Sequence, residues 1–476
     1  MKTVADDLSH MQSLLPSRSM GMKLILVAGL ALFMTIPALF VRGLLQDRKS
    51  RAAEVTQQIS SQVGGRQTFL GPTLMIPYSI PPKYTHDSSK QGTYIVFPAQ
   101  ASAVFKTATQ ERQLSLFKVP VFQADAQFHA AFDLTGVPSN APEGAVLDWQ
   151  HAEIVVGVSD ARGALADATI TSKGKTAILA PETNNQNIQL GSNGSPSLTL
   201  SLFGTNASSL AQPGAKFSVS STLRFSGAQR VAILAYGKTT QVSVTGDWPS
   251  PGFDGGFSPV KRTVSPHGFS AEWSVPFIAR GFGTEGPSAI LNGLDATAMG
   301  VSFIEVADPY QSVDRSLKYV LLFLGLIFLS YFIFEGTTGR RVHPAQYLLV
   351  GVAQLIFYLL LLSLAERIGF DFGFLLAGAA TVSLLSLNAK WVFVSRREGL
   401  RALTLFTSLY VFIYLLLRLQ DNALLLGTIA SFAIVAAAMY FTRNLDWYSP
   451  LSISATSVPL AKRASEAAPG TPGETR

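Results

Sequence analysis

Long apolar runs decide what this chain can fold into: one lies near its start, five crowd its last third, and none occurs over residues 46–314 between them. The runs are Leu24 to Val41, Val320 to Phe334, Tyr347 to Ala365, Phe372 to Leu387, Ala402 to Leu417 and Ala423 to Thr442. A bilayer core of about 30 Å takes about 20 mostly apolar residues per helix, so the shorter runs must borrow flanking residues. Six spans are expected, with a large aqueous segment between the first two. Arg418 and Asp421 separate the last two runs and suit a tight turn at the lipid surface better than the middle of one long helix.

Lys and Arg in short loops stay preferentially on the cytoplasmic side. Arg340 and Arg341 follow the second run and Lys390, Arg396, Arg397 and Arg401 the fourth, whereas the loops after the third and fifth carry only Arg367 and Arg418. This balance predicts cytoplasmic termini and a periplasmic segment. Around the first run the charges are ambiguous, with Arg42, Arg48, Lys49 and Arg51 after it and Lys2, Arg18 and Lys23 before it, so the later loops decide. The first run contains Pro37 and continues through Val41-Arg42-Gly43 without a small-x-small cleavage site, which reads as an uncleaved anchor.

Ala52, Val55, Ile59 and Val63 recur at helical spacing until Gly64-Gly65, predicting a stalk. Beyond it the period becomes two: Phe128, Ala130, Phe132 and Leu134; Leu198, Leu200 and Leu202; Phe217, Val219, Ser221, Leu223 and Phe225. These read as half-buried strands of a mainly antiparallel, β-sandwich-like domain. Pro- and Gly-rich turns such as Pro142-Glu143-Gly144 and Ser250-Pro251-Gly252 separate them. The predicted organisation is a polytopic α-helical membrane protein with a mainly-β periplasmic domain inserted between spans one and two. Its parts are a cytoplasmic N-terminus (1–22), a transmembrane anchor (23–45), a helical stalk (46–64), the β-rich domain (65–314), a five-helix transmembrane bundle (315–448) and a disordered cytoplasmic tail (449–476).

The chain has no cysteine, which excludes disulfides, thiolate metal sites and cysteine nucleophiles. His10, His86, His129, His151, His267 and His343 show no ligand spacing, so neither metal nor cofactor is expected. No Gly-x-Ser-x-Gly elbow or phosphate-binding loop occurs in a context that would make a catalytic site, and the chain is not expected to be an enzyme. The net charge of +7 largely reflects the orientation signal at helix ends and implies no nucleic-acid partner. The interiors of the spans lack Asp, Glu, Lys, Arg and His, which argues against ion coupling.

Two groups are candidate sites. Glu366, Arg367, Arg418 and Asp421 share the outer side of the predicted bundle, where they would either anchor helix ends at the interface or couple the aqueous domain to the membrane part. Trp248, Phe253 and Trp273 would either form an aromatic wall for an extended glycan or peptide, or cap a β-sandwich core with each indole N–H paired locally. Gln354 and Tyr358, one turn apart, can bond a neighbouring helix, and Gly378, Ala379 and Ala380 permit close helix approach.

Gly246-Asp247-Trp248-Pro249, Phe269-Ser270-Ala271-Glu272-Trp273 and Gly300-Val301-Ser302-Phe303 with Asp308-Pro309-Tyr310-Gln311 resemble segments of the CreD family. So do Arg315-Ser316-Leu317-Lys318-Tyr319, His343-Pro344-Ala345-Gln346-Tyr347-Leu348-Leu349-Val350-Gly351 and Asp446-Trp447-Tyr448. The resemblance implies a Gram-negative inner-membrane protein linked to cell-envelope integrity, within a two-component-controlled carbon-source or β-lactam response. The family carries no established catalytic activity, so no catalytic residues transfer. The expected function is therefore non-enzymatic envelope maintenance through the periplasmic domain, with membrane lipid and an envelope protein or glycan as partners. The alternative is a transporter or flippase for a lipid or envelope precursor.

Overall fold

The computed structural model describes residues 20–81, 90–114, 117–181, 187–191, 198–303, 309–338, 340, 342–418, and 425, 427–429, 432, 436, 439, 440 and 443. The first 19 residues, most of the sixth apolar run and the C-terminal tail fall outside them. The chain divides into two compact units: Gln46–Asp308, and Met1–Leu45 together with Pro309–Arg476.

In the helical unit, α1 (Met20–Phe33) and α2 (Thr35–Val63) are interrupted at Met34. Pro37 explains the break: it has no N–H to donate to the carbonyl four residues back, and its ring crowds that carbonyl. A short amphipathic helix, α3 (Pro309–Lys318), precedes α4 (Val320–Thr338), α5 (Pro344–Ile368), α6 (Phe370–Phe393) and α7 (Arg396–Arg418). Each of α4 to α7 is longer than its apolar run. Together with the α1–α2 helix they give five helices long and apolar enough to cross a membrane among the described residues. Ile36, Leu39 and Phe40 are 61%, 64% and 77% exposed, a face that is stable only against lipid or another apolar surface. Small residues set the closest approaches inside the bundle. A Cβ on Gly351 would meet Met34 Sδ at 2.9 Å, and one on Gly378 would meet the Tyr410 ring at 3.2 Å.

The other unit begins with the end of α2. Val63 is followed by Gly64 at φ +92°, and the Gly65 N–H donates to the Ser60 carbonyl at 2.7 Å, a left-handed stop that a Cβ would disfavour. Ile59 and Val63 bury against Val119, Val121 and Ala228, which fixes the stalk to the strands.

Those strands form two sheets. One runs Lys261–Ser265, Gly268–Val275, Thr239–Gly246, Gln100–Leu114, Phe117–Asp133, Lys216–Ala228, Thr169–Ser172, Lys175–Ile178. The other is built on Asn187–Leu190, Leu198–Asn206, Glu153–Val158, Gln67–Ile80, Arg230–Ile233, Met299–Phe303 and Pro251–Gly255, with shorter strands attached. Pairing is antiparallel except where Gln67–Phe69 runs beside Val231–Ile233 and Gln100–Thr107 beside Thr239–Gly246. Burial alternates along Lys216–Ala228, the signature of a strand with one face on the core, whereas Gln67–Ile80 is buried on both faces over most of its length.

Phe69 of one sheet meets Phe105 and Phe225 of the other at ring-centroid distances of 5.3 and 5.6 Å, so the sheets close on a shared aromatic core. Two large polar side chains inside it bond to backbone carbonyls. Tyr236 Oη donates to the Ser102 and His129 carbonyls at 2.7 and 3.1 Å, and burial raises its pKa far above the usual phenol value. Arg280, 2% exposed, donates from Nε to the Ala235 carbonyl and from Nη1 to the Gly283 carbonyl, both at 2.9 Å, and lies 4.1 Å from the Phe97 ring centre. Burial lowers its pKa to about 10, which leaves it charged at neutral pH.

Gly71 lies in the long central strand, where a Cβ would come within 2.5 Å of the Tyr236 ring. The Tyr236 hydroxyl pins that ring from its far end, so it has little room to retreat. Gly71→Ala should destabilise the β-rich unit by roughly 1–3 kcal/mol, read as a lower midpoint in denaturant unfolding of the full chain in detergent. An unchanged midpoint would mean that Tyr236 yields freely.

Candidate functional site

The helical unit holds several of its polar groups in pairs between helices. Glu335, near the end of α4, has no solvent exposure and accepts a salt bridge from Lys23 of α1. Lys23 Nζ also donates to the Val342 carbonyl at 2.7 Å, the Val342 N–H donates to Glu335 Oε1 at 3.0 Å, and Tyr347 Oη of α5 donates to Glu335 Oε2 at 3.1 Å. Both carboxylate oxygens are therefore engaged. The sequence places Glu335 at a helix end, where an interfacial role is the simplest expectation; the structure buries it, because Lys23 supplies a counter-charge from the opposite end of the chain. One turn earlier, Tyr331 Oη donates to the Leu385 carbonyl at 2.9 Å and reaches Asn388 Oδ1 at 3.1 Å. Tyr410 Oη of α7 donates to Gln354 Oε1 of α5 at 2.8 Å, the interhelical bond expected of Gln354.

The members of the predicted coupling cluster have different partners. Tyr310 Oη of α3 donates to Glu366 at 3.1 Å, while Arg367 is exposed. Arg418 pairs with Asp371, which also accepts from Tyr414 Oη at 3.1 Å. Asp421 lies outside the described residues.

Of the aromatic trio, Phe253 and Trp273 pack against each other. Trp273 is 2% exposed, its indole N–H donates to the Phe257 carbonyl at 3.0 Å, and its ring lies 6.0 Å from that of Phe253. Trp248 and Phe253 are half-buried, and Trp248 packs edge-on against Phe303 at 6.3 Å. Trp273 also borders a groove of about 470 Å³ with Val260 and Lys261.

The more polar concavity had no signal in sequence spacing. A cleft of about 410 Å³ in the β-rich unit is lined by Thr56 of the stalk, Arg66, Lys118, Arg230, Asp254 and Phe303, with Val119, Pro120, Gln229 and Ser302 completing its walls. Parallel pairing of Gln67 with Val231 sets Arg66 beside Arg230, each one residue before that pair. Between them Gln229 is left-handed, φ +66°, an unusual state for a residue with a side chain. It is held by its N–H donating to the Pro120 carbonyl at 3.0 Å and its carbonyl accepting from Phe303 N–H at 2.8 Å.

Arg66 Nε donates to Gln229 Oε1 at 3.1 Å. Arg230 Nε donates to Asp254 Oδ1 at 2.7 Å, and Ser302 Oγ donates to the other oxygen of the same carboxylate. Lys118 pairs with Glu111 at 3.0 Å, but both side chains are about half exposed, so that pair is worth little. The lining sets three cations against one carboxylate. Among the described residues no group of three or more His, Asp or Glu is placed to hold a metal ion.

If the Lys23–Glu335 pair clamps α1 to α4 and α5, Lys23→Met should cost about 3–5 kcal/mol by leaving a buried carboxylate uncompensated. Lys23→Met/Glu335→Met should cost less than the two single changes summed. Thermal unfolding of the four proteins in detergent measures this coupling, and additive effects would contradict it.

The sequence matches the profile of the family described as inner membrane protein CreD over residues 19–448. It is similar to inner membrane protein CreD of Escherichia coli (strain K12), with 28% identity over 449 residues, covering 92% of this chain and 94% of that protein. The match takes in both the helical unit and the β-rich unit, and the chain belongs to the CreD family of inner membrane proteins.

Proposed function

We propose that this protein is a non-enzymatic component of cell-envelope maintenance, acting through a β-rich unit held in the periplasm while its helices anchor it in the inner membrane with both termini cytoplasmic. One contrast carries the reading. Side chains from different helices of the helical unit bond to one another, as in Lys23–Glu335–Tyr347 and Gln354–Tyr410, whereas the β-rich unit keeps an open, cation-lined cleft. A bundle whose hydrogen bonds are spent on helix association serves as a scaffold. An open polar cleft on a rigid β framework suits recognition of another envelope component. Membership in the CreD family supports the inner-membrane part of this reading. A link to a two-component, β-lactam-responsive programme rests on the sequence resemblance.

One observation favours lipid translocation instead. An apolar groove of about 520 Å³ runs between α6 and α7, past Gly378, Leu375 and Val411, with Asp371 on its wall.

Deletion under inducing conditions should increase envelope permeability and alter β-lactam susceptibility, and the wild-type chain should restore both. Permeability to a normally excluded dye, together with β-lactam susceptibility, reads this out. Unchanged values in the deletion strain would remove the envelope role.

A further inference from the structure

We infer that the cleft between the stalk and the strands is a binding site for a phosphate ester, and so names the class of ligand through which the β-rich unit acts. The inference rests on reading that unit as the recognition part. Arg66 spends one N–H on Gln229 and leaves its terminal guanidinium nitrogens without a protein acceptor among the described residues. Arg230 is oriented by Asp254, whose second oxygen accepts from Ser302, so the one carboxylate in the lining is already occupied. Even with Glu111 counted against Lys118, the cleft keeps an excess positive charge. Two guanidinium groups and an ammonium match an anion with several acceptor oxygens, and guanidinium forks suit phosphate in particular.

The rest of the lining fits an ester. Thr56, Gln229 and Ser302, each partly exposed, add hydrogen-bonding groups beside the cations for a glycerol or sugar moiety. Gln229 in its left-handed conformation fixes the floor between Arg66 and Arg230, and backbone held in such a state is often found at binding sites. The same chemistry is presented by the headgroup of an anionic phospholipid and by a soluble phosphate ester.

The test uses the full chain purified in a neutral sugar detergent. Binding of short-chain phosphatidylglycerol, glycerol 3-phosphate and short-chain phosphatidylcholine is measured by calorimetry for the wild type, Arg66→Gln/Lys118→Gln and Lys216→Gln. Arg66 and Lys118 are exposed, so the double variant should melt with the wild type. Lys216 pairs with Asp133 at 2.7 Å, outside the cleft lining, and serves as a charge control. The expected result is saturable binding of at least one phosphate probe carrying net negative charge, weakened tenfold or more in the double variant and unchanged in Lys216→Gln. Binding of phosphatidylglycerol alone assigns a lipid headgroup; binding of glycerol 3-phosphate assigns a soluble ester. No binding of either at millimolar concentration, equal binding by the double variant, or equal affinity for phosphatidylcholine overturns the inference. Because binding is read on purified protein, its loss leaves an envelope phenotype standing, and a missing phenotype leaves measured binding standing.

Discussion

A carboxylate without solvent must be neutralised by the protein around it, and the helical unit is organised about one such group. Glu335 is closed off by Lys23, Val342 and Tyr347, three contacts that reach α1, the loop after α4, and α5. An isolated ionised carboxylate in that position would be prohibitively costly, so the helices that supply its partners must be in place together. Tyr331 one turn away and Gln354 further along α5 extend the principle to α6 and α7. Packing between these polar contacts depends on Gly351 and Gly378, whose missing side chains let Met34 and Tyr410 approach.

The β-rich unit follows a related logic with different means. Its aromatic core, centred on Phe69, Phe105 and Phe225, excludes water, so buried Tyr236 and Arg280 donate to backbone carbonyls. Gln67 does the same where the stalk meets the sheet, donating from Nε2 to the Gly64 and Asp160 carbonyls at 2.9 Å. At the rim, the pairing that buries Gln67 carries Arg66 to Arg230 and leaves Gln229 in its left-handed turn. The cleft is thus a consequence of how the strands are joined at the stalk.

The elements governed by local periodicity were legible in the sequence. Five of the six apolar runs lie on membrane-length helices among the described residues, the spacing of Ile59 and Val63 found the stalk, Gly64-Gly65 found its end, and the alternation from Phe217 to Phe225 found a strand with one buried face. Contacts between distant segments were not legible. Lys23 and Glu335 are 312 positions apart, so a charge at each of two helix ends gave no hint of a buried pair. Arg66, Lys118 and Arg230 meet only through sheet pairing, and each looks like an ordinary surface cation by itself. Trp248, Phe253 and Trp273 could be picked out as a group, but which way Trp273 faced depended on the register of Gly268–Val275. The fate of Glu366 and Arg418 turned on Tyr310 and Asp371, partners that spacing could not select.

The central claim is that the β-rich unit, through its cleft, carries recognition while the helices carry anchorage. Photocrosslinking in living cells tests it most directly, with a photoreactive residue placed at Thr56 or Gln229 in the cleft and, in parallel, at Leu375 or Val411 in the groove between α6 and α7. The account predicts specific adducts with an envelope component from the cleft positions. Specific adducts from the groove positions alone, with none from the cleft, would contradict it and make the helical unit the working part.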